Sequence, residues 1–214
     1  VRVTEPGSHV LFYFSGHGAQ FKDDNGDEAD GKDEALILND STWNEDEAHN
    51  VLLDDEIGAL IGSMKGGELL MLVDACHSGT GTRGVTDLKP RGAMPPMVSK
   101  TLDEAAIPVL DTAGVFKENK EVNLAKNAAT YVVISGAQAK EFNYECYDDN
   151  GNGVGSLSYA FSKSISMLKD KTSYRGLFAS IEDIMREKAP RQKPVLEGDG
   201  VDRELFGGKF VAQK

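Results

Sequence analysis

The sequence is poor in three features, and each scarcity excludes a class of protein. Its 214 residues include two cysteines, Cys76 and Cys146, too few for the disulfide framework of a small secreted domain, so we expect free thiols and a cytoplasmic location. Its apolar runs are shorter than the roughly 18 residues that span a membrane, so we expect no membrane partner. Lys and Arg number 23 against 35 Asp and Glu, which argues against nucleic acid.

Size and acidity narrow the remaining possibilities. The length and a hydrophobic content of 40% suit one α/β domain with a real core. The net charge of −12 fits cationic peptides or metal ions as partners, although acidic surfaces often serve only solubility.

Apolar patterning predicts a parallel sheet covered by helices. Continuous apolar runs predict buried strands over residues 10–15, 69–74 and 130–135, and amphipathic spacing predicts helices over residues 54–64, 156–168 and 177–188. Shorter strands are predicted over 35–39 and 205–212, and loops over 22–34 and 190–200. Buried strands separated by helices are typical of an α/β fold with helices on both faces.

A cysteine and a histidine follow two of these strands. Cys76 comes just after residues 69–74, and His17 just after residues 10–15. Functional sites in parallel sheets collect beyond the carboxyl ends of the strands. A thiol needs a base or a positive neighbour to become a nucleophile, which His17 would supply. The backbone N–H groups of Gly18 and Cys76 would then face a developing oxyanion.

Two motifs at these strand ends resemble those of metacaspases. Residues 12–20, FYFSGHGAQ, resemble the histidine motif of that family, and residues 74–79, DACHSG, resemble its cysteine motif. Ala75 stands where the family commonly has serine. Weaker likeness covers residues 26–34, 54–56, 196–198 and 205–207.

The resemblance implies a fold and an activity. The fold is a caspase-like three-layer sandwich with a mostly parallel sheet flanked by helices, over residues 1–214. Metacaspases are cysteine endopeptidases that cut after Arg or Lys through a Cys-His dyad and an acyl-enzyme, so protein or peptide substrates with basic residues are expected, and no organic cofactor. The dyad here would be Cys76 and His17. His77 adjoins the cysteine, and adjacent side chains diverge, so it is a poor base.

Cleavage after a basic residue requires a carboxylate in the substrate pocket. Asp74, two residues before Cys76, matches a family pocket acid. Ser15, Asp33 and Ser135 are further candidates for the pocket wall. The competing interpretation of Asp74 is a helix or turn cap, which we favour less because the strand end directs it at the cleft.

The resemblance also implies calcium, a hard cation that takes several oxygen ligands. The acidic stretch 23–34 and the aspartates after it match the regions that supply these ligands in many metacaspases. Our candidate ligands are Asp33, Asp54 and Asp55. Arg83 departs from the family, which often has an aspartate seven residues after the catalytic cysteine.

Residues 80–128 lack clear periodicity and are interpreted as an irregular, intersubunit-type loop region. Exposed, irregular backbone is open to proteolysis, so self-cleavage is expected there. An ordinary surface loop is the alternative. The basic residues that this region offers are Arg83, Lys89, Arg91, Lys100 and Lys117.

Only nine residues precede the strand that carries His17. In the caspase-like fold the first strand, its helix and the second strand come before it. The VLFYF run has no polar face, and a bare edge of such a strand would invite aggregation. We therefore expect a preceding N-terminal segment, or another polypeptide, to complete the sheet.

Two other functions remain open. A catalytically silent caspase-like module would bind partners or scaffold signalling, although such homologues usually lose the histidine or the cysteine. Clostripain-type and legumain-type enzymes belong to the same clan of cysteine proteases as metacaspases, but the SGHG and CHSG motifs favour metacaspases. Legumain-type enzymes would cut after Asn, and a caspase-type pocket for Asp would need basic walls.

Overall fold

The computed structural model describes residues 7–24, 26, 31–64, 66–76, 89–92, 97–100, 129–138 and 141–207, without the side chain of Ser99. Most of the 80–128 region therefore lies outside the described residues. No helix in these ranges is long and apolar enough to cross a membrane.

In chain order, the described residues form ten strands and three helices. The strands are β1 His9–Ser15, β2 His17–Lys22, β3 Lys32–Trp43, β4 Glu47–Leu53, β5 Glu68–Asp74, β6 Ser99–Lys100, β7 Thr130–Ser135, β8 Glu145–Tyr147, β9 Gly153–Gly155 and β10 Val195–Glu197. The helices are α1 Asp54–Gly62, α2 Ser156–Met167 and α3 Tyr174–Lys188.

The main sheet has the strand order β1-β5-β7-β10. The first three strands are parallel, and β10 is antiparallel to β7. The register sets Ser15 opposite Asp74 and Val73 opposite Ser135. The carboxyl ends of β1 and β5 are therefore level, as the sequence predicts.

Helices cover both faces of this sheet, and β5 is therefore buried on both sides. Its odd-numbered apolar residues pack in one core with Ile57 and Ile61 of α1. Leu70 and Leu72 point the other way and pack against α2 and α3, which contribute Leu157, Ala160, Leu177, Ile181 and Met185. The three-layer α/β arrangement predicted from the sequence is confirmed.

A second sheet carries the histidine strand. Its order is β2-β3-β4-β6, and β2 and β3 pair antiparallel from His17 opposite Ile37 to Lys22 opposite Lys32. Phe21 is fully buried in its core and meets Trp43 edge to face.

β1, β5, β7 and the three helices match their predicted positions to within a few residues. The second sheet was largely missed, because β3 extends beyond the predicted 35–39 into the predicted loop 22–34, and neither β2 nor β4 was predicted. Further differences lie near the end of the chain. The predicted loop 190–200 contains β10, which is too short to carry a period and obtains its hydrogen bonds from β7. The strand predicted over 205–212 is wrong at residues 205–207, which form a turn with Phe206 at φ 53°, a left-handed conformation that a strand cannot contain. Residues 208–212 lie outside the described range.

Candidate active site

The histidine and cysteine segments touch through their backbones. The N–H of Gly16 donates to the carbonyl oxygen of Asp74 at 3.2 Å. A side chain on Gly18 would overlap the carbonyl oxygen of Cys76, so only glycine permits this approach. His17 lies between these two contacts and is exposed. Two strand ends from different sheets thus meet at the predicted dyad.

Cys76 is fully buried, and the backbone of Asn143 holds its sulfur. The Sγ lies 3.2 Å from the Asn143 carbonyl oxygen, to which it donates, and the Asn143 N–H donates to Sγ at 3.0 Å. Burial raises the pKa of the Cys76 thiol, and the Asn143 N–H opposes that rise. This arrangement favours the neutral thiol.

The Asn143 side chain links the cysteine loop to two other segments. Its Nδ2 donates to Oδ1 of Asp74 at 2.8 Å, and its Oδ1 accepts from Nε2 of Gln192 at 2.8 Å. Gln192 also donates to the Gly136 carbonyl oxygen and accepts from the Tyr144 N–H, each at 2.8 Å. The Gln192 amide thereby ties Asn143, which holds the Cys76 sulfur, to Gly136 and Tyr144.

Asp74 is fully buried and caps α2. Its Oδ2 accepts from the backbone N–H of Ser158 at 2.8 Å and from the hydroxyl of Ser158 at 2.5 Å. The N-terminus of a helix stabilises a carboxylate. The capping interpretation that we favoured less is therefore observed, and it is compatible with a position beside the cleft.

The side chain of Arg91 occupies the space beside this carboxylate. Its Nη2 donates to the Ser15 hydroxyl at 2.8 Å. A Cβ built on Gly155 would overlap both the Asp74 carboxyl group and Nη1 of Arg91, so the guanidinium and the carboxylate adjoin across this glycine. Ser15, Asp74 and Gly155 thus form a pocket that holds an arginine side chain.

The carbonyl oxygen of Arg91 lies between the two predicted oxyanion donors. It accepts from the N–H of Gly18 at 3.1 Å and from the N–H of Cys76 at 3.0 Å. A peptide carbonyl held by two convergent N–H groups is the arrangement that stabilises an oxyanion during acyl transfer.

Two of the predicted pocket residues lie elsewhere. Asp33 is in β3, opposite Phe21 in the second sheet. Ser135 is buried and pairs with Val73 and Val195 inside the main sheet. Asp74 and Ser15 therefore lie at the arginine pocket. Asp33 lies instead near Asp54, at the start of α1.

The acidic region centres on Asp54 at the start of α1. Asp54 is fully buried, and neither carboxyl oxygen has a hydrogen-bond partner. Burial, followed by the charges of Glu34, Asp55 and Asp33, raises the pKa of Asp54 well above its usual value. Hard oxygen donors of this kind suit calcium. Within the described ranges, however, no three His, Cys, Asp or Glu side chains are arranged to hold a metal ion.

Sequence reasoning missed Asn143, Ser158 and Gln192. Asn143 and Gln192 lie in segments without hydrophobic periodicity, and 67 residues separate Asn143 from Cys76. Ser158 follows Gly155 at the start of a predicted helix, which was the one available signal for a polar group near a strand end.

Comparisons with known proteins agree with this fold. The caspase domain model of the C14 peptidases matches residues 3–206, so the chain belongs to the caspase domain family. Metacaspase-2 of Arabidopsis thaliana is 47% identical over 78 residues, covering 36% of this chain and 18% of that protein. Metacaspase-1 of Saccharomyces cerevisiae is 27% identical over 226 residues, covering 92% of this chain and 50% of that protein. The chain thus spans about half the length, or less, of these relatives.

A crystal structure of a Geobacter sulfurreducens protein supports the fold alone. It is 24% identical, with a TM-score of 0.58, and the match covers 93% of this chain and 69% of that one.

Proposed function

We propose that this chain is a cysteine endopeptidase that cleaves protein and peptide substrates after Arg or Lys. One observation carries the proposal. An arginine, Arg91, has its guanidinium beside Asp74 and its carbonyl oxygen on the N–H groups of Gly18 and Cys76. These are the contacts that a P1 residue needs, with the side chain recognised and the scissile carbonyl polarised.

The residues around Cys76 suit acyl transfer. His17 would take the thiol proton, and the thiolate would attack the carbonyl carbon of the P1 residue. The N–H groups of Gly18 and Cys76 would stabilise the oxyanion, and His17 would then protonate the leaving amine. Water would hydrolyse the acyl-enzyme and return the thiol. Because burial raises the pKa of Cys76, the base is essential at neutral pH.

The pocket favours a basic P1 residue. Asp74 supplies a buried negative charge, which attracts Arg or Lys and repels the Asp that caspases accept. A Cβ at position 155 would collide with the guanidinium. Gly155 has none and therefore leaves room for a long P1 side chain. Asn at P1 would leave the carboxylate without a charged partner.

A peptide panel tests the proposal. Fluorogenic peptides with Arg, Lys, Asn or Asp at P1 are compared with and without calcium. We expect turnover with Arg and Lys, and none with Asp. Cys76→Ala should abolish turnover, His17→Ala should be nearly as damaging because the dyad acts as a unit, and His77→Ala should be much milder. A silent binding module would turn over no peptide, and Asn-specific turnover would indicate a legumain-type enzyme.

Calcium binding is a secondary proposal, and Asp54 supports it. Burial, followed by repulsion from Glu34, Asp55 and Asp33, raises the pKa of Asp54, and a cation near these carboxylates would offset the repulsion. The carboxylates would have to draw closer, since the described side chains form no complete ligand set. Calcium should raise the melting temperature of the wild type and leave that of Asp54→Asn unchanged. Equal shifts in the two proteins would place any calcium effect elsewhere.

Two further expectations concern the setting of the enzyme. We propose a preceding N-terminal segment that pairs with β1, because β1 is the end strand of the described sheet and exposes Leu11 and Tyr13 by 53% and 52%. A cytoplasmic location is supported by the two free cysteines, since Cys76 must stay reduced to act as a nucleophile.

A further inference from the structure

The hydroxyl of Ser158 connects the buried carboxylate of Asp74 to the mouth of the arginine pocket. Ser158 Oγ lies 2.5 Å from Oδ2 of Asp74, 2.8 Å from the Tyr13 hydroxyl oxygen and 3.4 Å from the Ser15 hydroxyl oxygen. The Ser15 hydroxyl in turn accepts from Nη2 of Arg91 at 2.8 Å. The hydrogen-bonded path from the guanidinium to the carboxylate therefore runs through two serine hydroxyls.

The number of hydrogens on these groups fixes the direction of the path. A hydroxyl has one hydrogen and two lone pairs, and an ionised carboxylate can only accept. Ser158 therefore gives its hydrogen to Asp74, and its two lone pairs accept from Tyr13 and Ser15. A lone pair of Ser15 then faces the guanidinium. All the hydrogen bonds of this path point towards the carboxylate, and bonds aligned in this way polarise one another.

The oxygens around the guanidinium match its planar fork. Nη2 of Arg91 donates to Ser15, Nε faces the Gly16 carbonyl oxygen at 3.5 Å, and Nη1 lies beside Asp74 at Gly155. A lysine at the same position would end one bond short of the Nη atoms, with a compact and strongly hydrated ammonium in place of the fork. The pocket should therefore bind arginine better than lysine.

We propose that Ser158 is a specificity-determining residue, whose hydroxyl relays the charge of Asp74 to Ser15 and thereby makes the pocket select arginine over lysine at P1. The inference rests on the proposed protease function and narrows its substrates from basic residues to arginine first. Ser158 acts through Ser15 and Asp74 rather than by contact with the P1 side chain.

Removing this hydroxyl leaves the carboxylate in place. In Ser158→Ala the backbone N–H of residue 158 still donates to Oδ2 of Asp74, and Asn143 still donates to Oδ1, each at 2.8 Å. Oδ2 then has a lone pair free for an ammonium, while the guanidinium loses its relay. The rates with arginine and lysine should therefore move in opposite directions, whereas a loss of packing would lower both.

The test compares two fluorogenic peptides that differ only in Arg or Lys at P1. We would measure kcat and KM for the wild type, Ser158→Ala, Ser158→Thr, Ser15→Ala and the double variant of Ser15→Ala and Ser158→Ala, with melting temperatures as a check on folding. Ser166→Ala is the matched control, because Ser166 is an exposed serine of the same helix whose hydroxyl donates to the Lys163 carbonyl oxygen.

We expect the wild type to favour Arg over Lys in kcat/KM by about tenfold or more, the effect of one hydrogen bond to a charged group. In Ser158→Ala and in Ser15→Ala, kcat/KM with Arg should fall by about tenfold, and the Arg-to-Lys ratio should approach one. Ser158→Thr keeps a hydroxyl and Ser166→Ala keeps the relay, so both should retain the wild-type ratio. The double variant should lose little more than either single variant, because the two hydroxyls form one path.

The outcomes separate this inference from the proposed function. Turnover of both peptides without a preference for Arg in the wild type overturns the relay and leaves the protease function intact. Equal losses with Arg and Lys in Ser158→Ala would limit Ser158 to a structural role, and additive losses in the double variant would mean that the two serines act separately. If Ser158→Ala does not fold, Ser15→Ala decides, and an unchanged ratio there overturns the relay. No turnover of either peptide overturns the protease function and the inference with it.

Discussion

Among single residues, Asp74 lies beside three neighbours at once. One carboxyl oxygen caps α2 through Ser158, and the other accepts from Asn143. The same group adjoins the Arg91 guanidinium at Gly155. Neutral donors thus hold the carboxyl group in place independently of the guanidinium, which is the preorganisation that the proposed specificity pocket would require.

Asp74→Asn should lose cleavage after basic residues. Removing one partner of a buried charge pair costs about 3–5 kcal/mol, so kcat/KM with Arg at P1 should fall by about 100-fold to 4,000-fold. Asp183→Asn is the control, because Asp183 forms an exposed ion pair of small energetic effect. Equal kcat/KM for Asp74→Asn and wild type would remove Asp74 from the pocket, and equal losses with neutral peptides would assign it to the cap alone.

Cys76 should react with iodoacetamide as a thiol of raised pKa. Burial disfavours the thiolate, so the alkylation rate of the intact chain should rise with pH through a midpoint above the ordinary value of about 8.5. Cys146→Ala removes the second buried thiol from the assay. In denaturant, the alkylation rate of the same thiol should have its pH midpoint at the ordinary value. A folded midpoint below it would mean that His17 already holds the thiolate.

Among the elements, the loop before β10 supports the cysteine loop through Gln192. Gln192 bridges Gly136, Tyr144 and Asn143 with three hydrogen bonds. Asn143 in turn holds the sulfur of Cys76 and the carboxyl group of Asp74. Through Asn143, Gln192 therefore helps to position both the Cys76 sulfur and the Asp74 carboxyl group.

Gln192→Ala should lower activity more than its stability loss explains. It leaves buried polar groups without partners, at about 1–3 kcal/mol, and should lower the melting temperature by several degrees and kcat by about tenfold. Ser173→Ala is the matched control. Ser173 caps α3 through the Gly176 N–H, so its loss costs about 1 kcal/mol without touching the site. Unchanged kcat in Gln192→Ala would limit the residue to stability.

The elements also show what sequence could predict. Apolar runs located β1, β5 and β7. Burial on both faces explains the continuous signal of β5 and β7, whereas alternate residues of β1 are exposed. The positions of His17 and Cys76 after two such runs led to the proposed dyad. The site's other members could not be predicted in this way, since Asn143 holds the Cys76 sulfur through backbone atoms that any residue possesses, and Ser158 reaches Asp74 across 84 residues of sequence.

At the scale of the whole molecule, the end of the main sheet presents apolar side chains to solvent. β1 pairs with β5 along one edge, and Leu11 is 53% exposed. Edge strands with apolar side chains template the pairing of further strands.

Leu11→Lys should reduce association of the chain at high concentration, because lysine on an edge strand opposes edge-to-edge pairing. Light scattering measures the effect. Met167→Lys is the control, since Met167 is 55% exposed at the end of α2 rather than on an edge strand. An equal reduction in association by both changes would mean that association depends on surface hydrophobicity in general rather than on the edge of β1.

Under the proposed protease function, the pairing of residues 89–91 with Asn143 and Glu145 would also limit which proteins are cut. A bound segment must give its own N–H and carbonyl groups to the groove, so it cannot keep them in a helix or a sheet of its own. Cleavage of a folded target therefore carries the free energy of local unfolding, which is near zero at frayed ends and mobile loops and large in a core. Conformation would thus select targets as strongly as the basic residue does, and interdomain linkers would be cut before stable domains.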